Sequence, residues 1–92
     1  ILVAFKEVED ALVAVRTARD QRTAQQEQVD ALRSALQVAD LRYLAGITSY
    51  VEVLITKRNL LAAESALTAA QRLHLVSVVQ LYKALGGGWS PG

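Results

Sequence analysis

A single histidine, His74, and no cysteine are what this 92-residue chain offers to nucleophilic or metal chemistry. A serine nucleophile needs a base within hydrogen-bond reach and a third group to orient that base. Ser49, Ser65 and Ser77 each stand apart in sequence from any plausible base. Without cysteine there is no disulfide framework, no thiol nucleophile and no thiolate metal site. None of the short motifs of the catalytic classes occurs either, so the chain reads as not an enzyme, with no cofactor and no metal site. His74 lies between Leu73 and Leu75 on a heptad seam position. It reads first as a seam or interface histidine hydrogen-bonded to a neighbour, with metal ligation or a pH switch as the other reading. Ten basic and nine acidic residues are spread along the chain for a formal charge of +1. That balance lacks the concentrated basic face that phosphate-backbone binding needs, so nucleic acid is not an expected partner.

The residues that stand out instead are Arg42, Tyr43, Gly46, Ile47, Thr48, Ser49 and Glu52. Gly46 is the only glycine in the first 85 residues, and glycine takes the left-handed conformation that ends a helix without steric cost. Ser49 and Glu52 have the S-x-x-E spacing of a capping box, which starts another helix. Cap and box together stabilise by about 1 to 2 kcal/mol. Turn-making accounts for Gly46, Ser49 and Glu52 but not for Arg42, Tyr43 and Ile47. Large side chains beside a solvent-facing turn are placed where loops commonly carry recognition.

The elements that must position this turn are two long helices. The spacing predicts a single domain over 1–92: helix from about residue 4 to 45, a tip at 46–48, helix from about 49 to 85, and a glycine-rich tail at 86–92. At 1.5 Å per residue the first helix would be roughly 60 Å long. Its apolar seam reads Phe5, Val8, Leu12, Val15, fades between Arg16 and Gln28, and resumes as Val29, Leu32, Leu36, Ala39 and Tyr43 in what reads as a shifted frame that locally changes the supercoil. Arg16, Arg19, Asp20 and Arg22 read as a solvated face, with Asp20 and Arg16 forming a weak pair one turn apart. In the second helix Val53, Leu60, Leu67, His74 and Leu81 recur every seven residues, and so do Leu54, Leu61, Thr68, Leu75 and Tyr82. Ala62, Ala63, Ala66, Ala69 and Ala70 lie between them and let neighbouring backbones approach. Toward its end only a thin polar stripe of His74, Ser77, Gln80 and Lys83 remains, and a helix apolar almost all round must be covered on several sides. Gly86, Gly87 and Gly88 read as the helix stop, with Trp89 docking on something apolar. The fold class is all-α, a long antiparallel coiled-coil-like hairpin. With 52% hydrophobic but 5% aromatic residues, the bias toward Ala, Leu and Val suits closely packed helices. No run approaches the ~20 apolar residues of a membrane span. The chain contains no methionine and begins Ile1-Leu2-Val3, and reads as a piece of a longer protein.

Three runs of residues carry a resemblance. Arg42, Tyr43, Gly46, Tyr50, Val53 and Leu54, followed by Arg58, Leu60, Leu61, Ala63 and Glu64, look like the RYxxG…YxxVL…QRxLLxAE pattern of the outer membrane efflux proteins, the TolC-like family. Leu81-Tyr82-Lys83-Ala84-Leu85-Gly86-Gly87-Gly88-Trp89 resembles the closing LYKALGGGW of its multidrug-efflux branch, and Phe5-Lys6-Glu7-Val8-Glu9-Asp10-Ala11-Leu12 resembles the run that opens the same hairpin.

The resemblance implies an outer-membrane channel component of a tripartite drug efflux or secretion system in a Gram-negative bacterium, with this segment in the periplasm. There the hairpin would form part of a homotrimeric α-helical barrel, and the lipid-contacting parts would lie outside this piece. It places Arg42, Gly46, Ile47, Thr48 and Ser49 at the turn that meets a periplasmic membrane fusion adaptor, and through it an inner-membrane pump. It makes Tyr43 and Glu52 channel-gate residues. Ile55 departs from the aspartate common at that position, which puts a second acidic constriction in doubt. The alternatives are a soluble coiled-coil hairpin serving as a scaffold or dimerisation module, with the tip only a turn, and the hairpin of an adaptor itself. Because the apolar faces around Leu73 to Leu85 exceed what one partner helix covers, the isolated chain is expected to self-associate at micromolar concentration. Sedimentation checks this, and a clean monomer would refute it.

Overall fold

The computed structural model describes residues 2–89, with side chains described for residues 5–86. Helix α1 spans Leu2–Leu44 and helix α2 spans Tyr50–Trp89, joined by a short turn; no strand occurs among the described residues. The all-α helical hairpin expected from the periodicity is what forms. The expected stop at the glycine run is corrected: α2 runs on through Gly86, Gly87 and Gly88 to Trp89. Glycine disfavours a helix by about 1 kcal/mol relative to alanine, but it stops one only where it turns left-handed. Among the described residues, Gly46 is the position with positive φ, at 76°. Ser90, Pro91, Gly92 and the side chain of Trp89 lie outside the described residues.

The chain divides into two compact units: Thr23–Thr68, containing the turn, and Ile1–Arg22 with Ala69–Gly92. In the turn-containing unit, Val29, Ala39, Val53, Ala63 and Leu67 are buried, Val29 and Val53 completely. Val29, Ala63 and Leu67 form one cluster, with Leu32 and Leu60 packed against it. Arg33 reaches across to Glu64 at 4.0 Å and along its own helix to Asp30 at 3.9 Å. Both are exposed pairs that contribute little. In the other unit the buried residues are Ala18, Ala70 and Ser77, a seam of small side chains.

Along α1 the residues that escape full exposure are Val8, Ala11, Val15, Ala18, Gln25, Val29, Leu32, Leu36 and Ala39. Their three-and-four spacing belongs to one uninterrupted heptad frame. The expected seam and its frame shift are therefore corrected. Phe5 and Leu12 are 63% and 39% exposed, one position to the side of the true seam, which uses Ala11 and Ala18 instead. The frame continues through Arg22 and Gln25 rather than breaking there. Alanine at alternate seam positions lets two backbones approach closely, so the large apolar residues flank the contact. Of the small residues in α2, Ala63 and Ala70 are buried whereas Ala62, Ala66 and Ala69 face outward.

The end of α2 departs from an ordinary amphipathic helix. Ser77 is buried and His74 half-buried, while Leu73, Leu75, Val76, Val79 and Tyr82 are exposed. Val78, Leu81 and Ala84 are half-buried beside Ser77 and His74 while Gln80 and Lys83 are exposed, so the sheltered face mixes polar and apolar residues and a second band of large apolar residues lies on the exposed side. Ser77 is satisfied within its own helix, its hydroxyl donating to the His74 carbonyl at 2.7 Å. Asp20 pairs with Arg19 at 3.8 Å, not with Arg16.

Val29→Ala should destabilise the chain by about 2 kcal/mol, the loss of two methyl groups plus the cavity left behind. Glu27→Ala, on the exposed face of the same turn, should stay within about 0.5 kcal/mol. Urea unfolding followed by circular dichroism measures both.

Candidate functional site at the hairpin tip

The turn is built from backbone first. With Gly46 left-handed, the Ile47 N–H donates to the Arg42 carbonyl at 2.9 Å and the Gly46 N–H to the Tyr43 carbonyl at 3.0 Å. These are the two bonds of a Schellman cap, and they satisfy carbonyls that the end of α1 would otherwise leave open. Arg42 occupies the last turn of α1, where a cation is favoured by the helix dipole. In most such caps the residue after the glycine packs back onto the helix. Here its partner position is Arg42, and Ile47 remains 67% exposed.

The start of α2 is capped differently from the expected box. The Glu52 N–H donates to the Ser49 carbonyl at 3.2 Å, while the Glu52 carboxylate accepts from the Thr48 hydroxyl. The box itself does not form, since the Glu52 N–H goes to the Ser49 backbone rather than its hydroxyl and the Glu52 carboxylate to Thr48; Glu52 in the first turn also complements the positive end of the helix.

Across the turn the Tyr43 and Tyr50 rings lie 5.1 Å apart between centroids at 57°, a tilted arrangement favoured by ring quadrupoles. The Lys57 Nζ sits 5.8 Å from the Tyr50 centroid, within cation–π range. Tyr50 and Lys57 were not among the expected site residues. The available signal was positional: Tyr50 is the first residue of α2 and Tyr43 lies in the last turn of α1, while Lys57 follows Tyr50 by one heptad. Tyr43 and Glu52, grouped as gate residues by the resemblance, hold different partners here. The tip thus presents Ile47, a ring pair and an engaged carboxylate on a turn closed by its cap bonds. Such a surface can recognise a partner. Among the described residues no cluster of histidine, cysteine or carboxylates could hold a metal ion.

The outer membrane efflux protein family matches residues 1–87. The chain belongs to that family. It is 44% identical over 89 residues to the probable efflux pump outer membrane protein TtgC of Pseudomonas putida, covering 97% of this chain and 18% of the relative. It is 44% identical to the solvent efflux pump outer membrane protein SrpC of the same species, over 98% of this chain and 19% of the relative. It is 43% identical to the cation efflux system protein CusC of Escherichia coli, over 94% of this chain and 19% of the relative. The chain therefore spans about a fifth of the length of the curated relatives it matches. No solved structure gives a significant match. In this efflux-family hairpin the motif residues divide by role: Gly46 makes the turn, Tyr43 and Tyr50 close it, and Val53, Leu60 and Ala63 fill the seam. Arg42, Leu54, Arg58 and Leu61 remain exposed.

A Cβ added at Gly46 meets nothing within 4 Å, so Gly46→Ala should cost only the left-handed backbone penalty of about 1 to 2 kcal/mol. Gly86→Ala, in a helical position that is equally open, should stabilise by about 1 kcal/mol. Chemical denaturation of the two variants should give opposite signs.

Proposed function

We propose that this hairpin is the periplasmic segment of an outer-membrane channel component of an efflux system, a passive conduit that docks a periplasmic adaptor at the Gly46 turn. The observation that carries the reading is the family match over nearly the whole chain. The outward-facing Leu73, Leu75, Val76, Val79 and Tyr82 on α2 support it from a second direction, because one partner helix leaves them uncovered and a multi-helix barrel of three copies would cover them. No helix among the described residues is long and apolar enough to cross a membrane. On this reading that task falls to parts of the protein beyond the hairpin.

Ile47 is the centre of the proposed docking turn. It is a large apolar side chain held at the surface by a backbone cap whose bonds are already satisfied, flanked by Arg42, Thr48 and Ser49. The adaptor would link the conduit to an inner-membrane pump that supplies energy and substrate. Tyr43 and Glu52 would serve at the entrance, Tyr43 through the ring pair with Tyr50 and Glu52 through the charge left beside Thr48. Ile55, 54% exposed, offers no second carboxylate there. No observation favours the soluble scaffold reading over this one.

Ile47→Asp in the full-length protein tests the docking surface without disturbing the seam. Cells carrying it should lose drug resistance to the level of a strain lacking the protein, with normal outer-membrane abundance. Unchanged resistance at normal abundance would reject the Gly46 turn as the docking site.

A further inference from the structure

The near-neutral total charge of the chain divides unevenly. Over residues 11–22 of α1 and 69–83 of α2, all within the unit of the two chain ends, Arg16, Arg19, Arg22, Arg72 and Lys83 stand against a single carboxylate, Asp20. Beyond Glu64, α2 carries no acidic side chain at all. The turn-containing unit is balanced by comparison, with five acidic residues and four basic. Every charged residue of the basic band is exposed. Asp20 engages Arg19 at 3.8 Å, and Arg22 donates to the His74 ring, a contact that supplies no carboxylate. Guanidiniums three residues apart on one helix repel each other, and arginine does not relieve that by losing its proton.

The two flanks of this unit differ in character. Half-buried Val8, Ala11 and Val15, with buried Ala18, mark the side of α1 that meets α2. At about 100° per residue, Arg16 and Arg19 fall on one flank of that line. Ala14, Thr17 and Gln21 fall on the other, where with Leu73, Val76 and Gln80 they line an uncharged groove of about 340 Å³. Small uncharged side chains can be covered by protein, whereas covering the arginine flank would bury charge. That flank therefore stays in water.

We propose that the Arg16–Arg19 flank lines the lumen of the conduit and makes this level of it favour anionic solutes; the inference rests on the conduit reading above. Three copies around one lumen repeat the five-to-one excess of basic over acidic side chains at the same height. A water-filled passage whose low-dielectric wall carries one sign of charge concentrates counterions, and rings of arginine or lysine favour anions in pores in the same way. Asp20 tempers the field of the band without cancelling it.

The test uses the full-length protein in planar bilayers, with Leu12→Cys, an exposed position on the arginine flank, as its sole cysteine. Sulfonatoethyl and trimethylammonioethyl methanethiosulfonate, one anionic and one cationic, modify the thiol while single-channel current is recorded. The current should fall on modification. The ratio of the anionic to the cationic rate should drop several-fold in Arg16→Gln/Arg19→Gln and rise in Asp20→Asn. Channels whose current ignores the modification would set this flank outside the lumen and overturn the proposal, and a rate ratio unchanged in both variants would overturn it as well. A full-length protein that forms no channels would reject the conduit reading itself, and the proposal with it.

Discussion

Everything in this hairpin follows from one backbone conformation, the positive φ of Gly46. A left-handed residue lets the Ile47 and Gly46 N–H groups close back on Arg42 and Tyr43, which ends α1 with its carbonyls satisfied and sends the chain back along itself. That geometry sets the register of the unit that contains it. Tyr43 meets Tyr50, Arg33 meets Glu64, and Val29 packs with Leu67 and Ala63. Any residue with a Cβ at this position would strain the cap, although the space around it is open. The constraint is conformational rather than steric.

The two units differ in what fills their seams. Near the turn, branched aliphatic side chains fill the seam and two valines lose all contact with solvent, so hydrophobic burial dominates. In the unit of the chain ends the fully buried residues are alanine and serine, flanked by half-buried Val8, Val15, Val78 and Leu81, with His74 accepting from Arg22 at the exposed edge. The small residues permit close approach while the flanking aliphatic side chains supply the apolar burial. Gln25 belongs to the same polar interruption of the α1 seam: its side-chain carbonyl is buried with no partner in the chain, an arrangement that costs free energy unless another group supplies a donor.

The outward apolar residues connect the fold to the proposed conduit. A helix that turns Ser77 inward and Leu75 and Tyr82 outward is poorly arranged for life as half of an isolated hairpin. It is well arranged for a wall in which each helix has neighbours on both sides. The tip then presents exposed Ile47 on a turn closed by the bonds of its glycine cap, a combination suited to a partner that reads shape without unfolding the turn.

Much of this was legible in the residues alone. The long heptad repeats required two helices, the lone interior glycine located the turn, and three motifs in order pointed to the efflux family, because each depends on local backbone preference or on short-range spacing. Which residues form the seam was not legible. Large Phe5 and Leu12 outweighed Ala11 and Ala18 on any hydrophobicity count, yet close helix approach selects the small side chains, and only the partner helix reveals that preference. The Thr48–Glu52 side-chain bond, in place of a Ser49 capping box, depended on the turn's actual path. The Tyr43–Tyr50–Lys57 stack and the Arg22–His74 bond join residues that lie apart along the chain. The periodicity of the sequence determined that there would be two helices and where they would reverse; which faces met, and what polar groups were caught between them, was decided by packing of one helix on the other.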